Sequence, residues 1–416
     1  MFSRFLATRV REALVDSPAV LIHGPRQSGK TTLARSVGEP RGYRYVTFDD
    51  DAVVQAARRD PPGFVGALPP KCILDEVQRV PEIFTSLKAA IDRRRVAGRY
   101  ILTGSANVLF VPRLAESLAG RMAILRLHPL AQAEIAQRRP RLIETLFRRR
   151  VRTAIAKPLG ADLLARIVGG GYPAALQRRS AARRRAWYRE YIDTQIQRDV
   201  RDLSRLRSLD TLPRLLTLAA SQTARLINVA DLSAPFELTR QTIHDHITLL
   251  ERIFLVQRLP PWHANRLSRL VKRPKLHITD TGVGCALLGV DAPGLAGDRE
   301  LLGQMMETFV LQEVQRESSW LPDPPTFFHY RDRDDFEVDL VVQSRRQELI
   351  GIEVKAAASV SETDFRGLRK LRIAAGKRFV AGAVLYDGAA VIKFENDMFA
   401  IPLRRIWEVD GHEGRR

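Results

Sequence analysis

The stretch that decides the fold is residues 19–32, which read AVLIHGPRQSGKTT. It opens with apolar residues, as in a buried strand, and residues 24–31 match the pattern G-x-x-x-x-G-K-[ST] completely. Glycines at 24 and 29 let the backbone bend so that successive N–H groups face phosphate oxygens. A helix that begins after the loop adds its positive N-terminal end. The sequence therefore predicts a strand, a phosphate-binding loop and a helix, in this order.

The loop also predicts which groups hold a nucleoside triphosphate. We expect Lys30 to reach the β- and γ-phosphates and the Thr31 hydroxyl to coordinate Mg²⁺, so ATP and Mg²⁺ are the expected cofactors. The predicted cofactor-binding residues are Gly24, Pro25, Arg26, Gln27, Ser28, Gly29, Lys30, Thr31 and Thr32.

A second motif, CILDE at residues 72–76, is an apolar strand that ends in two acids. Asp75 is predicted to act on the metal, through Mg²⁺ and water. Glu76 is predicted to be the base that polarises the attacking water. An apolar run followed by acids is common on protein surfaces, but its position about 45 residues after a phosphate-binding loop favours the catalytic interpretation.

A third strand, Tyr100–Thr103, leads into polar residues at the same predicted sheet edge. Thr103 and Ser105 are both candidates to contact the γ-phosphate or the water, and the pattern over 103–107 does not choose between them. Arg121 is a candidate arginine finger that completes the site of a neighbouring copy, which would make self-association part of the mechanism. It is equally well interpreted as an ordinary surface arginine.

Short apolar strands alternate with helical segments through the first 130 residues, which predicts an α/β fold with a parallel sheet and crossover helices. The predicted strands are Ala19–His23, Tyr43–Phe48, Lys71–Leu74, Tyr100–Thr103 and Ala123–Leu127.

Composition narrows the class of protein. The chain has 416 residues, of which 45% are hydrophobic and 27% charged, as in folded globular proteins of two to four domains. A membrane span needs about 18 or more consecutive apolar residues, and the sequence has no such run. Arginines interrupt the apolar positions of the N-terminal segment, which predicts an amphipathic helix and not a secretory signal. Two cysteines form neither a disulfide framework nor a metal cluster, so we expect a cytoplasmic location.

Charge points to a polyanionic partner. The formal net charge is +20, from 67 basic and 47 acidic residues. Such an excess favours nucleic acid, and less often an anionic membrane surface, so DNA is the expected partner and a membrane is not. Because 57 of the 67 basic residues are arginine, part of the excess also fits the composition of a GC-rich genome.

The middle of the chain predicts a helix-turn-helix. Residues 226–258 contain a short helical segment, a turn, and a second helix that opens with polar and basic residues. A module that only packs against other protein is the alternative. His244 and His246 lie two apart on a helix and face different ways, so they are a poor metal pair and are better interpreted as part of a polar helix surface. The predicted groove-facing residues are Arg240, Gln241, Thr242 and His244.

The last region contains a second set of polar residues. Glu307 lies on a predicted helix, Asp339 on the strand Phe336–Val342, and Glu353 and Lys355 on the same face of the next strand. The three acids are predicted metal ligands that would position a phosphate and a water. Lys355 would activate that water or stabilise the charge of the transition state. A fold without cleavage activity is the alternative.

Several sequence blocks resemble known families. GPRQSGKTT, CILDEVQ, YILTGSAN, SLAGR and LHPL resemble the core of a group of AAA-type P-loop ATPases of bacteria and archaea whose C-terminal domain is uncharacterised. The later blocks GGYPAAL, YREYIDTQIQRDV, PKLHITDTGV and FEVDLVV…GIEVK resemble the same group. The order of Asp339, Glu353 and Lys355 resembles the PD-(D/E)XK nuclease superfamily, with Glu307 at the position of its helical acid. Val338 stands where that superfamily has proline.

The resemblance implies four domains: an AAA-type ATPase core at 1–130, a helical lid at 131–205, a winged helix at 206–290 and a nuclease-like α/β domain at 291–416. It implies an ATP-binding, Mg²⁺-dependent ATPase that acts on or with DNA and carries a C-terminal nuclease site. The alternative is an ATP-operated regulatory or scaffold protein, in which the nuclease-like domain is an inactive binding module.

Overall fold

The computed structural model describes residues 2–105, 120–199, 211–236, 238–265 and 273–408. The chain divides into two compact units. The first contains Met1–Pro129 with Leu249–Phe254, and the second contains Leu130–Thr248 with Leu255–Arg416. The predicted end of the lid, at residue 205, lies outside the described residues.

The first unit is built on a parallel sheet of five strands in the order β2-β3-β4-β1-β5. The predicted α/β fold with a parallel sheet is confirmed. Each predicted strand is present, with ends that differ by at most one residue from the prediction. The strands are β1 (Ala19–His23), β2 (Arg44–Thr47), β3 (Cys72–Asp75), β4 (Tyr100–Gly104) and β5 (Met122–Arg126).

The strand order brings the motifs together. β4 lies between β3 and β1, so the strands that carry the two acids, the polar residues after Tyr100 and the glycine-rich loop are neighbours. Because all five strands are parallel, their carboxyl ends meet at one edge, where ligands bind in open α/β sheets. Helices pack on the strands through buried apolar residues such as Leu33, Val37 and Leu87. They are α1 (Ala7–Asp16), α2 (Lys30–Gly38), α3 (Asp51–Arg59), α4 (Pro61–Gly66) and α5 (Ile83–Arg93).

The second unit begins with helices. Its first five are broken at residues 170–172, which include two glycines. They are α6 (Gln132–Ile135), α7 (Leu142–Phe147), α8 (Ala161–Gly169), α9 (Pro173–Leu176) and α10 (Ala181–Thr194).

A small antiparallel sheet of three strands follows, in the order β6-β8-β7. β8 is its central strand, so its backbone is held on both sides. The elements of this segment are α11 (Thr211–Ser221), β6 (Arg225–Leu226), α12 (Val229–Ser233), α13 (Arg240–Arg252), β7 (Val256–Leu259) and β8 (Lys275–Ile278).

The last segment contains a sheet of six strands in the order β13-β14-β12-β11-β10-β9. β10 is antiparallel to β9 and β11, whereas β11, β12 and β14 are parallel. The strands are β9 (Thr326–Arg331), β10 (Glu337–Gln343), β11 (Leu349–Lys355), β12 (Phe379–Tyr386), β13 (Ile392–Glu395) and β14 (Met398–Pro402). The helices are α14 (Thr281–Leu288), α15 (Ala292–Gly297), α16 (Arg299–Ser319) and α17 (Arg366–Ala375).

Neither unit contains, among its described helices, one that is both long and apolar enough to cross a membrane.

Candidate functional site

The loop between β1 and α2 has the backbone that the motif predicts. Gly24 has φ 153°, and a Cβ atom there would lie 2.1 Å from the carbonyl oxygen of Leu127, so only glycine fits. Gly29 has φ 95° and Gln27 has φ 57°, both in the left-handed region. Left-handed residues in a turn point successive N–H groups into one concavity, which is an anion-binding arrangement.

The interior of the loop offers donors for phosphate. Lys30 is 4% exposed, and its Nζ donates to the carbonyl of Pro25 at 2.9 Å. The buried Ser28 hydroxyl has no hydrogen-bond partner among the described residues. A buried hydroxyl without a partner is costly in a protein interior, and a phosphate oxygen would satisfy it. The residues therefore fit a bound triphosphate.

Arg4 supports the glycine-rich loop through hydrogen bonds to backbone carbonyls, a role that the sequence did not predict. Its guanidinium donates to the carbonyl of Ser28 at 2.6 Å and to that of His128 at 2.5 Å. These bonds fix two backbone segments that flank the phosphate-binding concavity. The residue stands far from the motif in sequence, so local patterns gave no signal for it.

Asp75 ends β3 and is the centre of a hydrogen-bonded group. Its carboxylate accepts from the Thr31 hydroxyl at 2.9 Å, from the Tyr45 hydroxyl at 2.9 Å and from the Thr103 hydroxyl. Thr31 and Asp75, the two predicted magnesium ligands of this site, are thus in direct contact. A hydroxyl and a carboxylate are oxygen ligands that Mg²⁺ prefers, so the pair fits the ion that accompanies ATP.

Glu76 lies next to this group and has a left-handed backbone, with φ 58°. Its carboxylate accepts from the Ser105 hydroxyl at 2.9 Å and from the side chain of Gln78, which itself donates to the Ser105 hydroxyl at 2.8 Å. Burial alone would raise the pKa of Glu76, but the positive charge of Lys30 and the hydrogen bond from Gln78 bring it below its ordinary value. Glu76 is therefore ionised at neutral pH.

The two candidates at the end of β4 contact different acids. Thr103 donates to Asp75, and its Oγ1 also accepts from the backbone N–H of Glu76 at 3.1 Å, whereas Ser105 contacts the Glu76 carboxylate. The role of Gln78 was not predicted, although this residue stands two positions after Glu76 in the block CILDEVQ. Residues 106 and 107, the rest of the predicted polar segment, lie outside the described residues.

Arg121 pairs with a carboxylate of its own unit. Its Nε and Nη2 donate to the two oxygens of Asp92 at 2.5 and 3.0 Å, in a solvent-exposed, two-pronged ion pair. Its role as an arginine finger stays a prediction. Among the other predicted loop residues, Arg26 is half-buried and Thr32 is exposed.

The helix-turn-helix segment has an open hollow at the start of α13. The hollow has a volume of about 610 Å³. Its basic lining residues are Arg240, His244, Arg258 and Arg273. The Thr239 hydroxyl caps α13 by accepting from the N–H of Thr242 at 3.1 Å. Arg240, Gln241 and His244 are exposed and Thr242 is half-buried, and their contact with a DNA groove stays a prediction. His246 is fully buried, so its interpretation as a polar surface residue was wrong. It lies on the apolar side of α13 with Ile243 and Ile247.

The C-terminal residues gather around a lysine that sequence reasoning missed. Lys275, the first residue of β8, donates to Glu307 of α16 at 2.7 Å and to Asp339 of β10 at 3.4 Å. It also forms an ion pair with Glu337 of β10. Three carboxylates therefore converge on one ammonium, whose side chain is 3% exposed. Burial would lower the pKa of Lys275, but the three acids raise it above its ordinary value, so it stays charged.

Glu353 and Lys355 lie beside this group. The β10–β11 register pairs Leu340 with Ile352, and one step further places Asp339 opposite Glu353. Lys355 Nζ lies 3.1 Å from Glu353 and 3.9 Å from Asp364. Burial and the charge of Asp339 raise the pKa of Glu353 to about 8. The four predicted residues 307, 339, 353 and 355 thus come together in one cluster.

The cluster does not fit a divalent ion as it stands. In the part of the chain that the structure describes, no group of three or more His, Cys, Asp or Glu is arranged to hold a metal. The place that the acids surround is taken by the Lys275 ammonium, and the second oxygen of Asp339 accepts from the N–H of Val354 at 2.9 Å. The predicted metal role of Glu307, Asp339 and Glu353 stays a prediction.

Another hollow in the second unit is rich in arginine. It has a volume of about 290 Å³, and its apolar lining residues include Leu142 and Ile401. Two glutamates are also in its lining, so its excess charge is positive. Its arginines are Arg139, Arg141, Arg148, Arg150, Arg152 and Arg405. Such a surface attracts phosphate groups.

Comparison with known proteins divides the chain into three matched regions. Residues 16–136 match the model of an AAA domain. Residues 160–294 match a domain of unknown function (DUF8612), and residues 302–406 match another (DUF4143). The region that holds Lys30, Asp75 and Glu76 is thus similar to an AAA domain.

Two curated relatives match over most of their length. The uncharacterized protein Rv2008c of Mycobacterium tuberculosis is 30% identical over 406 residues, which are 97% of this chain and 84% of that protein. The uncharacterized protein Mb2031c of Mycobacterium bovis matches with the same identity and coverage.

Solved structures give more distant likenesses. The Walker-type ATPase PABY2304 of Pyrococcus abyssi is 14% identical, covers 69% of this chain and 96% of its own, and has a TM-score of 0.42. The RuvB Holliday junction branch migration motor of Thermotoga maritima is 17% identical, covers 62% of this chain and 86% of its own, and has a TM-score of 0.28. Both likenesses are too distant to support an argument about function.

Proposed function

We propose that this chain, which belongs to the same family as the mycobacterial proteins Rv2008c and Mb2031c, hydrolyses ATP with Mg²⁺ and acts on or with DNA. The observation that carries the proposal is the contact between the two halves of the site. Thr31 of the glycine-rich loop bonds to Asp75, and Glu76 follows as an ionised, hydrogen-bonded carboxylate.

Each residue of the ATP site has a proposed role. Lys30 binds the β- and γ-phosphates, and Thr31 and Asp75 hold Mg²⁺, which neutralises phosphate charge when bound. Glu76 accepts the proton of the attacking water. Ser105 and Gln78 orient Glu76, and Thr103 orients Asp75, because each bonds to the carboxylate concerned. The test of the site is the loss of hydrolysis in a Glu76 variant.

We propose that the regions after the ATPase core are those implied by the resemblance: a helical lid at 131–205, a winged helix at 206–290 and a nuclease-like domain at 291–416. Support for the winged helix comes from the order of its elements, in which α11, α12 and α13 accompany a three-stranded antiparallel sheet. Support for the nuclease-like domain comes from Glu307 on α16 and from Asp339 and Glu353 on adjacent strands.

DNA binding at the winged helix is supported by charge and shape. Arg240, Arg258 and Arg273 line one hollow at the start of α13, the end of a recognition helix that enters a groove. Arg258 donates toward His244 at 3.3 Å and to Thr248 at 3.2 Å, which holds it against α13. The arginine-rich hollow around Arg148 gives a second surface for the phosphate backbone.

Replacing Arg240 with alanine should weaken DNA binding and reduce its salt dependence. If Arg240 contacts one phosphate, the slope of log K against log salt concentration should fall by about 0.9. Fluorescence anisotropy with a labelled duplex at several salt concentrations measures both effects. Arg189→Ala is a matched control, since Arg189 is exposed on α10 and outside the hollow.

Equal affinities for wild type and Arg240→Ala would remove α13 from the DNA interface. A wild-type chain without DNA affinity at about 50 mM salt would reject the DNA proposal altogether. It would then favour the second function, an ATP-operated regulatory or scaffold protein.

For the C-terminal domain, the buried Lys275 favours the inactive binding module over the nuclease. We expect wild-type protein to leave plasmid DNA intact under Mg²⁺ or Mn²⁺, with and without ATP, because the acids that would hold a metal already neutralise an ammonium. Agarose gels measure this directly. Cleavage that disappears in both Asp339→Asn and Lys355→Ala, while ATP hydrolysis persists, would instead establish the nuclease. Cleavage that survives Asp339→Asn would come from another site or a contaminant.

A further inference from the structure

Lys275 occupies the point where three carboxylates of the second unit converge. Its Nζ lies 2.7 Å from Glu307 and 3.4 Å from Asp339, and it pairs with Glu337 as well. An ammonium has three N–H donors, which equals the number of acids it contacts. The Lys275 ammonium thus occupies the place that a small bound cation would take among these carboxylates.

Strand pairing on both sides fixes the backbone at Lys275. β8 is hydrogen-bonded on both sides, with Lys275 opposite Leu226 of β6 and opposite Leu259 of β7. His277, two residues along the same face, bonds to the hydroxyl of Thr308 at 3.1 Å and anchors the strand against α16. The backbone of Lys275 is therefore fixed, and the three ion pairs and burial of the side chain hold its ammonium among the acids.

A divalent ion and this ammonium compete for the same place. Mg²⁺ needs oxygen ligands at about 2.0–2.1 Å, so an ion shared by Glu307 and Asp339 would have to lie close to Nζ. A divalent ion at that place would meet a like charge at short range and lose carboxylate ligands that already have a donor. Carboxylate clusters suit Mg²⁺, Ca²⁺ and Mn²⁺ only where those oxygens are free to converge on the ion.

The neighbouring acid, Glu353, gives the cluster a further oxygen. Glu353 pairs with Lys355 through one oxygen, while its second oxygen is buried and has no hydrogen-bond partner among the described residues. Four carboxylates, Glu307, Glu337, Asp339 and Glu353, thus accompany two ammonium groups. Loss of the Lys275 ammonium would leave Glu307, Glu337 and Asp339 without the donor that they share.

We propose that Lys275 is the resident cation of this cluster, that it excludes divalent metal from the native chain, and that its removal opens a divalent-cation site formed by Glu307, Glu337 and Asp339. The native domain then keeps a nuclease-like set of residues without metal-dependent cleavage. The inference goes beyond the ATPase proposal and is independent of it, since none of these residues belongs to the ATP site.

The first experiment uses the native protein. Mn²⁺ is titrated into nucleotide-free wild type and into Asp339→Asn, and bound Mn²⁺ is followed by electron paramagnetic resonance. We expect the two titrations to coincide, because the wild-type cluster binds no metal for Asp339→Asn to lose. Any Mn²⁺ held near Thr31 and Asp75 is common to both chains. A site that is present in wild type and lost in Asp339→Asn would overturn the proposal.

The second experiment removes the ammonium and keeps the length of the side chain. Lys275→Met should gain a Mn²⁺ site that wild type lacks, and the added Asp339→Asn change should abolish it. Lys370→Met is the matched control, since Lys370 forms an exposed ion pair with Asp334 and should gain nothing. A folded Lys275→Met chain without new Mn²⁺ binding would reject the latent site.

If Lys275→Met does not fold alone, as judged by circular dichroism, Mn²⁺ should restore its folded signal. Failure of Mn²⁺ to restore it would count against the latent site, and the wild-type titration would still decide whether Lys275 excludes metal. ATP hydrolysis and DNA binding, measured on the wild-type sample, report separately on the proposed function.

Discussion

Replacing Glu76 with glutamine should slow ATP hydrolysis by about 10²–10⁴-fold and leave ATP binding in place. Glutamine keeps the shape of the side chain and its contacts with Ser105 and Gln78 but cannot accept the proton of water. The measurements are phosphate release for hydrolysis and binding of a fluorescent ATP analogue. Glu82→Gln is the matched control, because Glu82 is exposed and has no role in the proposed mechanism.

Lys30→Ala should fail in a different way, by weakening nucleotide binding itself, since the loop then loses the cation that reaches the phosphates. Equal hydrolysis rates for wild type and Glu76→Gln would reject Glu76 as the base.

The pH dependence of the hydrolysis rate has a definite sign. Because the pKa of Glu76 is below its ordinary value, loss of the base should reduce the rate only at pH values below about 4.3.

The second large effect concerns stability. Arg316→Met should lower the free energy of unfolding of the second unit by about 3–5 kcal/mol, because it leaves buried acids without their partner. The Arg316 guanidinium, 3% exposed, lies 3.0 Å from Asp280 and 2.8 Å from Glu313. It also donates to the carbonyl of Leu130 at 3.0 Å.

Urea unfolding followed by tryptophan fluorescence measures this effect, since all four tryptophans lie in the second unit. The control is Arg345→Met. Arg345 pairs with Asp323 on the surface, where both side chains are more than half exposed, so its loss should cost at most about 1 kcal/mol. A change of under 1 kcal/mol in Arg316→Met would show that the buried network contributes little net stability.

Much of the first unit could be predicted from sequence because its signals are local. The strand that precedes Gly24 is apolar throughout, and the loop needs glycine at fixed positions for steric reasons. Asp75 is the last residue of a buried strand, and Glu76 follows it directly. In a parallel sheet, strand ends meet at one edge whatever the strand order, so the residues of the proposed ATP site could be predicted without knowledge of that order.

Prediction from the sequence was weaker where the position of a residue depends on what packs against it in the fold. His246 looked like a surface residue because histidine is polar, but the helix phase places it with Ile243 and Ile247. The strands β6, β9, β13 and β14 were not predicted. β13 has four residues and is partly exposed, so its pattern does not differ from that of a loop.

The sequence by itself determined the proposed ATP site, because its glycines, its lysine and its acids are specified by short motifs attached to strands. Only the tertiary structure decided that the carboxylates of the C-terminal cluster contact an ammonium group. Lys275 is 32 residues from Glu307 and 64 from Asp339, and nothing in the pattern around either acid points to it. The pairing of β8 with β6 and β7 places its ammonium among the carboxylates. Whether acids hold a metal or an ammonium depends on which charge is buried beside them, and burial is a property of the folded chain.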